Sequence, residues 1–465
     1  MQKKFDVRIG GISADVAPDT AFELELLNSM LDIDTPQSSR ALGITLPFTP
    51  TNHDLMGHIY HPQSATTQRN YATELYLDTN LVDWGYSYLK DAKANYPLDF
   101  TSNIKEFFGS YQARLLSDID LGSFTLPSSL NDTLLNSWQV ANGCVFPTIR
   151  NDVYYEKNVP STFDGLVNKY SAGYIATSPK TPLFFVKYVL QKVGDLAGVT
   201  YAGEFWDDTA TAKLILYNTR EAVGTVERRL FMPNMTIAQL IVGLRKTFNL
   251  YLRFDVYRKV LRMDYAKSVH NGTCSIDWSS SAPKFKGGSP INIPGLELSW
   301  TLDTNDQLHK DAFFLPYATI DAVGQRQSIS SPFRTLLMES GLPKTSQFGA
   351  AVTQLDKKCI PGLLSWQGLV SGVPLATNQF GTTTLQWSDI RTSFWLEEER
   401  FRMGSFRVED RIALTSAQIS QISAILRGED SAWPIVHING VNYLIERLVI
   451  PSGSANTPLM SAWRI

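Results

Sequence analysis

Three histidines fall close together in the run His53-Asp54-Leu55-Met56-Gly57-His58-Ile59-Tyr60-His61. A zinc-hydrolase helix carries two histidines four residues apart with a glutamate after the first, so that both rings reach one ion from one face. Here the intervals are five and three, and Gly57 disfavours the helix. The stretch therefore reads as a loop or interface histidine cluster, and no metal ligand is assigned. His270, His309 and His437 stand alone in the sequence. The acidic runs Asp207-Asp208 and Glu397-Glu398-Glu399 could nominally supply the facing carboxylates of a glycoside hydrolase. Adjacent side chains on a strand point to opposite faces, so each run reads instead as a solvated sheet edge.

Other reactive patterns fall short in the same way. Gly341-Leu342-Pro343-Lys344-Thr345 has a lysine and a hydroxyl but lacks the glycine that precedes the lysine of a phosphate loop, and it reads as a turn. No G-x-S-x-G elbow occurs, and Cys144, Cys274 and Cys359 have neither C-x-x-C spacing nor a nucleophile signature. Arg228-Arg229 and Arg258-Lys259 are too short for a nucleic-acid stripe and read as solvated turns. The 10 tryptophans and 19 tyrosines suit cores, carbohydrate platforms and subunit interfaces alike. Trp84, Trp300 and Trp387 are the ones whose exposure would favour a carbohydrate groove. The chain is thus expected to be non-enzymatic, with no catalytic, cofactor-binding or metal-binding residues and no cofactor.

Composition narrows the class further. At 465 residues the chain exceeds the ~250–300 residues at which one core stops growing, so several domains are expected. Charged residues make up 19%, below the roughly 25% of an average soluble chain, which leaves some surface for burial against partners. A net charge of -3 without a local basic block argues against a specific nucleic-acid site. Scattered cysteines fit synthesis in a reducing cytoplasm. Asp6 and Arg8 interrupt the start before any signal-peptide stretch. The most apolar windows, 183–190 and 235–244, fall far short of the ~20 residues of a membrane span.

The elements that would carry these residues are mostly strands. Alternation predicts strands over 5–9, 21–27, 44–47, 72–77 and 82–89, a continuation at 100–104, and a weak helix over 105–116 interrupted by Gly109. Residues 122–180 lose clear periodicity, and their aromatics Trp138, Phe146, Tyr154, Tyr155 and Tyr170 need burial that a partner subunit could supply. Thr181 with Pro182 can open a helix that Gly198 stops, followed by strands over 199–205 and 213–217 around a polar turn at Asp207-Asp208-Thr209. Asn234 or Thr236 can cap a second helix burying Leu240, Ile241, Leu244 and Phe248, with a strand pair after it around Tyr257-Arg258-Lys259. After a linker over 284–294, strands return at 296–300, 384–387 and 393–397, with an amphipathic helix over 416–426. Asn439-Gly440 marks a type I′ hairpin, and a strand over 460–465 ends the chain. The fold class is a β-rich α+β multidomain chain, with two small β-barrel or sandwich domains flanking a central α+β domain of two helix-strand-strand units. The expected division is 1–121 N-terminal β-domain, 122–180 irregular extension, 181–266 central α+β domain and 267–465 C-terminal β-barrel-like domain with one helix.

Four stretches carry a resemblance: Leu42-Gly43-Ile44-Thr45-Leu46-Pro47-Phe48-Thr49-Pro50-Thr51-Asn52, Phe185-Val186-Lys187-Tyr188-Val189-Leu190 through Gly198 to Leu214-Ile215-Leu216-Tyr217-Asn218, Phe248-Asn249-Leu250 with Phe254-Asp255, and Ile438-Asn439-Gly440-Val441-Asn442-Tyr443-Leu444-Ile445-Glu446-Arg447-Leu448. They resemble tail proteins of phages and prophages of Bacteroidetes-type hosts. The order of parts is similar to the baseplate hub of contractile tails and the tail-tip hub of siphophages. The resemblance implies a virion protein of the tail tip or baseplate: a homotrimer with two barrels per chain in a pseudo-sixfold ring, a symmetry adaptor that forms part of the DNA-ejection channel. It also implies contacts with the tail tube protein, the tape measure protein and spike or receptor-binding proteins. Alternatives are a hexameric distal-tail or tail-adaptor ring, a contractile injection-system hub, and a carbohydrate-binding or depolymerising tail module. Residues 122–180 and 321–382 match no known pattern.

Overall fold

A computed structural model describes residues 5–17, 20–34, 37–65, 67–103, 107–127, 141–281, 288–290, 295–302, 306–310, 314–319, 326–351, 360–453 and 457–465. Trp138, Cys359, residues 104–106 and most of the expected linker over 284–294 lie outside the described residues. The chain is β-rich with few helices.

Among the described residues the largest sheet has thirteen strands. Its path runs Ile12–Ser13, Phe5–Ile9, Asn70–Leu77, Asn80–Leu89, Asn95–Asn103, Gln37–Pro47, Glu23–Leu27, Val441–Pro451, Leu459–Arg464, Phe406–Arg411 and Ser289–Pro290, with Ile435–Ile438 and Ile276–Asp277 joined at Val441–Pro451. Period-two burial explains these strands. In Phe5–Ile9 the residues Phe5, Val7 and Ile9 face in while Asp6 and Arg8 are half-buried, and Asn70–Leu77 alternates likewise. The expected strand at 44–47 starts earlier and bends through bulges around Gln37 and between Ala41 and Ile44.

Glu23–Leu27 pairs antiparallel with Val441–Pro451, from Glu23 opposite Pro451 to Leu27 opposite Arg447. The N-terminal and C-terminal strands, placed in separate domains from the sequence, are therefore hydrogen-bonded into one sheet. They also share one apolar core, in which Val7, Leu24, Leu75, Val82 and Leu98 meet Ile419, Ile422, Ile438, Leu448 and Met460. The helix Ser416–Arg427 lies on this sheet, opened by a reciprocal Thr415–Gln418 capping box and closed by Gly428 at φ 80°. The hairpin between Ile435–Ile438 and Val441–Pro451 turns at Asn439 (φ 52°) and Gly440 (φ 90°), as a type I′ turn requires. The C-terminal residues Leu459–Arg464 form an interior strand of the sheet.

Two helices organise the middle of the chain. Ile237–Phe248 is opened by a Thr236–Gln239 capping box and ends at Asn249 in the left-handed region. Val186–Ala197 ends at Gly198, also left-handed. This helix starts later than the Thr181-Pro182 cap predicts, because Leu183–Phe185 is a buried strand between Leu214–Tyr217 and Cys144–Val145. The predicted polar turn at Asp207–Thr209 is a pair of short helices, Glu204–Asp207 and Thr209–Ala212. The strands of the first predicted unit consequently part company. Thr200–Ala202 joins the Leu250–Asp255 and Val260–Tyr265 hairpin, whereas Leu214–Tyr217 enters a five-stranded sheet with Gly362–Val370 and Val373–Thr377.

Three further expectations are corrected. The segment predicted as a strand at 393–397 lies in continuous helical structure, Trp387–Ile390, Arg391–Trp395 and Leu396–Gly404, while that at 384–387 is strand only at Thr384, the end of the short strand Thr383–Thr384, and enters the helix at Trp387. Trp387, Ile390, Phe394, Trp395 and Phe401 bury on one helical side, and this longer period overrides the alternation seen in four-residue windows. In the extension, Phe146, Tyr154 and Tyr170 are buried within this chain's own cores, so a partner subunit is not needed to cover them. Of the expected helix over 105–116, Phe107 is helical, and past it, around Gly109 (φ 54°), the chain forms short turns of 3-10 helix at Gly109–Tyr111 and Leu116–Asp118.

Candidate functional site

The histidine run sits beyond the short helix Pro50–Leu55, which Thr49 caps and which ends before Gly57 and His58, both at positive φ. His53 Nδ1 lies 2.9 Å from the Tyr96 hydroxyl. Its ring stacks on Tyr60 at 4.3 Å and tilts against Phe48 at 5.1 Å. Burial, with lesser effects of Tyr60 and Tyr71, pushes the Tyr96 phenol up to about 12, so it meets His53 as a neutral hydroxyl. His58 pairs with Asp54 at 3.1 Å in solvent, and His61 is exposed. Among the described residues no three His, Cys, Asp or Glu side chains gather as metal ligands.

The acidic runs are not solvated sheet edges. Asp208 caps the Thr209–Ala212 helix through Ala210 N and accepts the Tyr265 hydroxyl at 2.8 Å. Glu397, Glu398 and Glu399 lie on a helix, and the last two are each 3% exposed. Glu397 pairs with Arg400 at 2.7 Å, and Glu399 takes the Nε and Nη2 of Arg391 at 2.9 and 2.6 Å. Glu398 holds Arg402 at 2.8 Å and His270 at 2.9 Å. Burial alone would push the Glu398 carboxyl up, but the charge of Arg402 and the hydrogen bonds and charge of His270 hold it at about 2. His270, solitary in the sequence, is thereby tied to a carboxylate 128 residues away.

The remaining candidates divide in the same way. Leu342–Lys344 follows the Ser340-Gly341 turn of a hairpin, with Lys344 on Glu339 at 2.6 Å. Arg228, expected in a solvated turn, is 7% exposed and donates to Asn142, Leu121 and Ser123 carbonyl oxygens. Arg229 pairs with Glu227 at 2.8 Å, Arg258 is exposed near Asp255 at 3.8 Å, and Lys259 donates to Phe107 O at 3.1 Å. Trp300 and Trp387 are buried and stack at 5.7 Å, while half-buried Trp84 meets Tyr86 and Tyr257 edge-on.

Sequence reasoning missed a set of buried arginines at the joints between distant segments. Arg245, on the helix Ile237–Phe248, donates to the Ser29 and Met30 carbonyls at 2.6 and 3.0 Å; burial pulls its guanidinium down to about 10, still charged at neutral pH. Arg253, on the adjoining strand, meets Asp264 at 2.8 Å and also donates to the carbonyls of Ile425, Asp430 and Ala432. Arg427 reaches from the helix Ser416–Arg427 to Val82 O and Asp83 on the strand Asn80–Leu89, and Arg334 pairs with Asp306. Buried charge costs several kcal/mol to desolvate unless fully partnered, so these contacts fix relative placement more than they add net stability. Their signal lies in tertiary partners, which a lone arginine in a strand does not disclose.

No family model matches the chain, and no curated protein matches it in sequence. Among solved structures, it is similar to the 43 kDa tail protein of prophage MuSo2 from Shewanella oneidensis, with TM-score 0.37 and 9% identity over 100% of this chain and 96% of that one. It is similar to a tail protein from Neisseria meningitidis MC58, with TM-score 0.38 and 8% identity over 100% and 96%. A third is prophage tail protein gp18 from Listeria monocytogenes EGD-e, with TM-score 0.36 and 9% identity over 99% and 94%. Superpositions this loose leave function to be argued from the chain itself.

A recess of about 280 Å³ lies between Leu115, Asp118, Arg229, Met232 and Pro361. Arg229, which lines it, is already paired with Glu227.

Proposed function

We propose that this chain is a structural protein of a phage tail, acting as a hub-like symmetry adaptor at the tail tip. The observation that carries the reading is the set of stretches that resemble tail proteins of Bacteroidetes-type phages, together with the elements they form. Leu42 to Pro47 belongs to a long strand of the thirteen-stranded sheet, and Val186–Ala197 and Leu214–Tyr217 are a central helix and strand. The Asn439-Gly440 hairpin supplies the strand that pairs the two ends of the chain. The joints held by Arg245, Arg253 and Arg427 suit a rigid adaptor, because they tie the helix Ile237–Phe248 to Ser29, the strand Leu250–Asp255 to the end of the helix Ser416–Arg427, and that helix to Val82 and Asp83 of the thirteen-stranded sheet.

In this reading three copies form a ring with a central opening for the tape measure and DNA, docked on the tail tube above and on spike or fibre proteins below. The hexameric adaptor ring differs in subunit count. A carbohydrate-binding module is disfavoured by the burial of Trp300 and Trp387, which cannot line a sugar groove from the core. Negative-stain class averages of the purified chain test the proposal. Rings with threefold or pseudo-sixfold symmetry are expected, sixfold rings would move the assignment to the adaptor, and solitary compact particles at all concentrations would count against a ring-forming hub.

A further inference from the structure

The sequence contains three Asn-Gly pairs, Asn142-Gly143, Asn271-Gly272 and Asn439-Gly440. Such a pair can cyclise, because glycine has no side chain to block attack of its backbone nitrogen on the asparagine carboxamide. The fold treats the three differently. Asn142 Oδ1 accepts from buried Arg228 at 3.2 Å, and Gly143 is pressed so tightly on the Tyr188 ring that a Cβ there would lie 2.1 Å from it. The Asn271 carboxamide donates to Lys267 O at 3.0 Å, and Gly272 N donates to Val269 O at 3.0 Å. Both pairs have their reacting groups engaged or walled in.

Asn439 and Gly440 are exposed at the hairpin tip. Gly440 N–H donates to His437 Nε2 at 3.2 Å. The other ring nitrogen, Nδ1, lies 2.9 Å from Asn442 Oδ1. Because Nε2 accepts from an amide that can only donate, the ring proton sits on Nδ1 and is donated to Asn442. The lone pair of a neutral imidazole is thus aimed at the proton that must leave for Gly440 N to become a nucleophile.

We propose that Asn439-Gly440 is a self-modifying site, at which His437 acts as general base for deamidation of Asn439 and Asn442 is the positioning residue for His437. Gly440 N bonds to Asn439 Cγ as His437 takes its proton. The bond from Cγ to the amide nitrogen breaks, and that nitrogen leaves as ammonia with the proton returned by His437. Water then opens the cyclic imide at either carbonyl, giving aspartate or isoaspartate with no change of oxidation state. The product places a new carboxylate at the tip beside Ser279, whose hydroxyl accepts from Asn439 N at 2.9 Å. The isoaspartate form also lengthens the turn backbone and breaks the I′ geometry.

The test incubates the folded 465-residue chain in neutral buffer and quantifies conversion at all three asparagines by peptide mass spectrometry, with isoaspartate methylation as a second readout. Asn439 is expected to convert at least about tenfold faster than Asn142 and Asn271, below the ~10²–10⁴ of a fully positioned base. His437→Phe and His437→Gln should each slow Asn439 alone by about tenfold, and Asn442→Leu should slow it while Asn442→Asp restores it. In urea the three sites should converge. Equal native rates, an unchanged rate in both His437 variants, or the same lead for Asn439 in urea would overturn the proposal.

Discussion

Replacing Arg253 by methionine removes a guanidinium with no solvent exposure that meets Asp264 and three carbonyls from the 425–432 segment. Methionine has similar length and relieves one existing defect, since Arg253 Nε is buried without a hydrogen-bond partner. What sets the cost is the set of groups left behind. Asp264 keeps Arg262 at 2.9 Å, which puts the loss at the lower end of the ~3–5 kcal/mol seen when one partner of a buried pair is removed. The Ile425 carbonyl keeps the Gly428 amide at 3.0 Å, and those of Asp430 and Ala432 lie nearer water, so the released carbonyls add little. The expected destabilisation is therefore about 3 kcal/mol, a large share of the ~5–15 kcal/mol of a typical domain. Urea melts followed by circular dichroism measure it, and amide exchange should show loss of protection concentrated at residues 425–433. Arg253→Met with Asp264→Asn removes both charges and should recover at least ~1 kcal/mol relative to additivity. A single variant within about 1 kcal/mol of the parent, or strictly additive effects, would refute the claim that this arginine clamps the joint.

Other expectations follow from the same contacts. The Glu398 carboxyl lies at about 2 against an ordinary 4.5, so its contribution is fully present above 4.5 and is lost as pH falls through 2. That drop corresponds to roughly 3 kcal/mol, and Glu398→Gln should flatten the acid limb of the stability–pH curve; an unchanged limb would contradict the pairing with Arg402 and His270. Trp387→Ala empties a site 3% exposed and stacked on Trp300, and should cost about 3–5 kcal/mol in a denaturant melt. A surface tryptophan would give a much smaller loss. Thr236→Ala breaks one half of a capping box and should cost ~1 kcal/mol, with faster amide exchange in the first turn of its helix.

Local signals were legible in this sequence wherever neighbours in the chain decide the structure. The strand Phe5–Ile9, the helix Ser416–Arg427 and the Asn439-Gly440 hairpin follow from alternation, helical periodicity and turn chemistry. Of the two proposed caps, Thr236 is the one used, because Gln239 stands where it can return the hydrogen bond. Short windows such as Ser393–Glu397 satisfy period two, whereas the burial that decides the helical run Trp387–Gly404 repeats over longer intervals. Leu183–Phe185 carries three consecutive buried residues, a pattern shared by an interior strand and the start of a buried helix. The pairing of Glu23–Leu27 with Val441–Pro451 and the partners of Arg253, Arg427 and His270 join residues far apart in the chain. Nothing in the residues next to them encodes those contacts.

The most direct test of the tail assignment is peptide counting by mass spectrometry on intact particles produced by the genome that encodes this chain, purified away from host lysate. The account predicts the chain in assembled tails at a small fixed copy number, three for a hub, retained when capsids are removed. Its absence from purified particles, with abundance confined to the soluble lysate, would contradict a structural role in the tail.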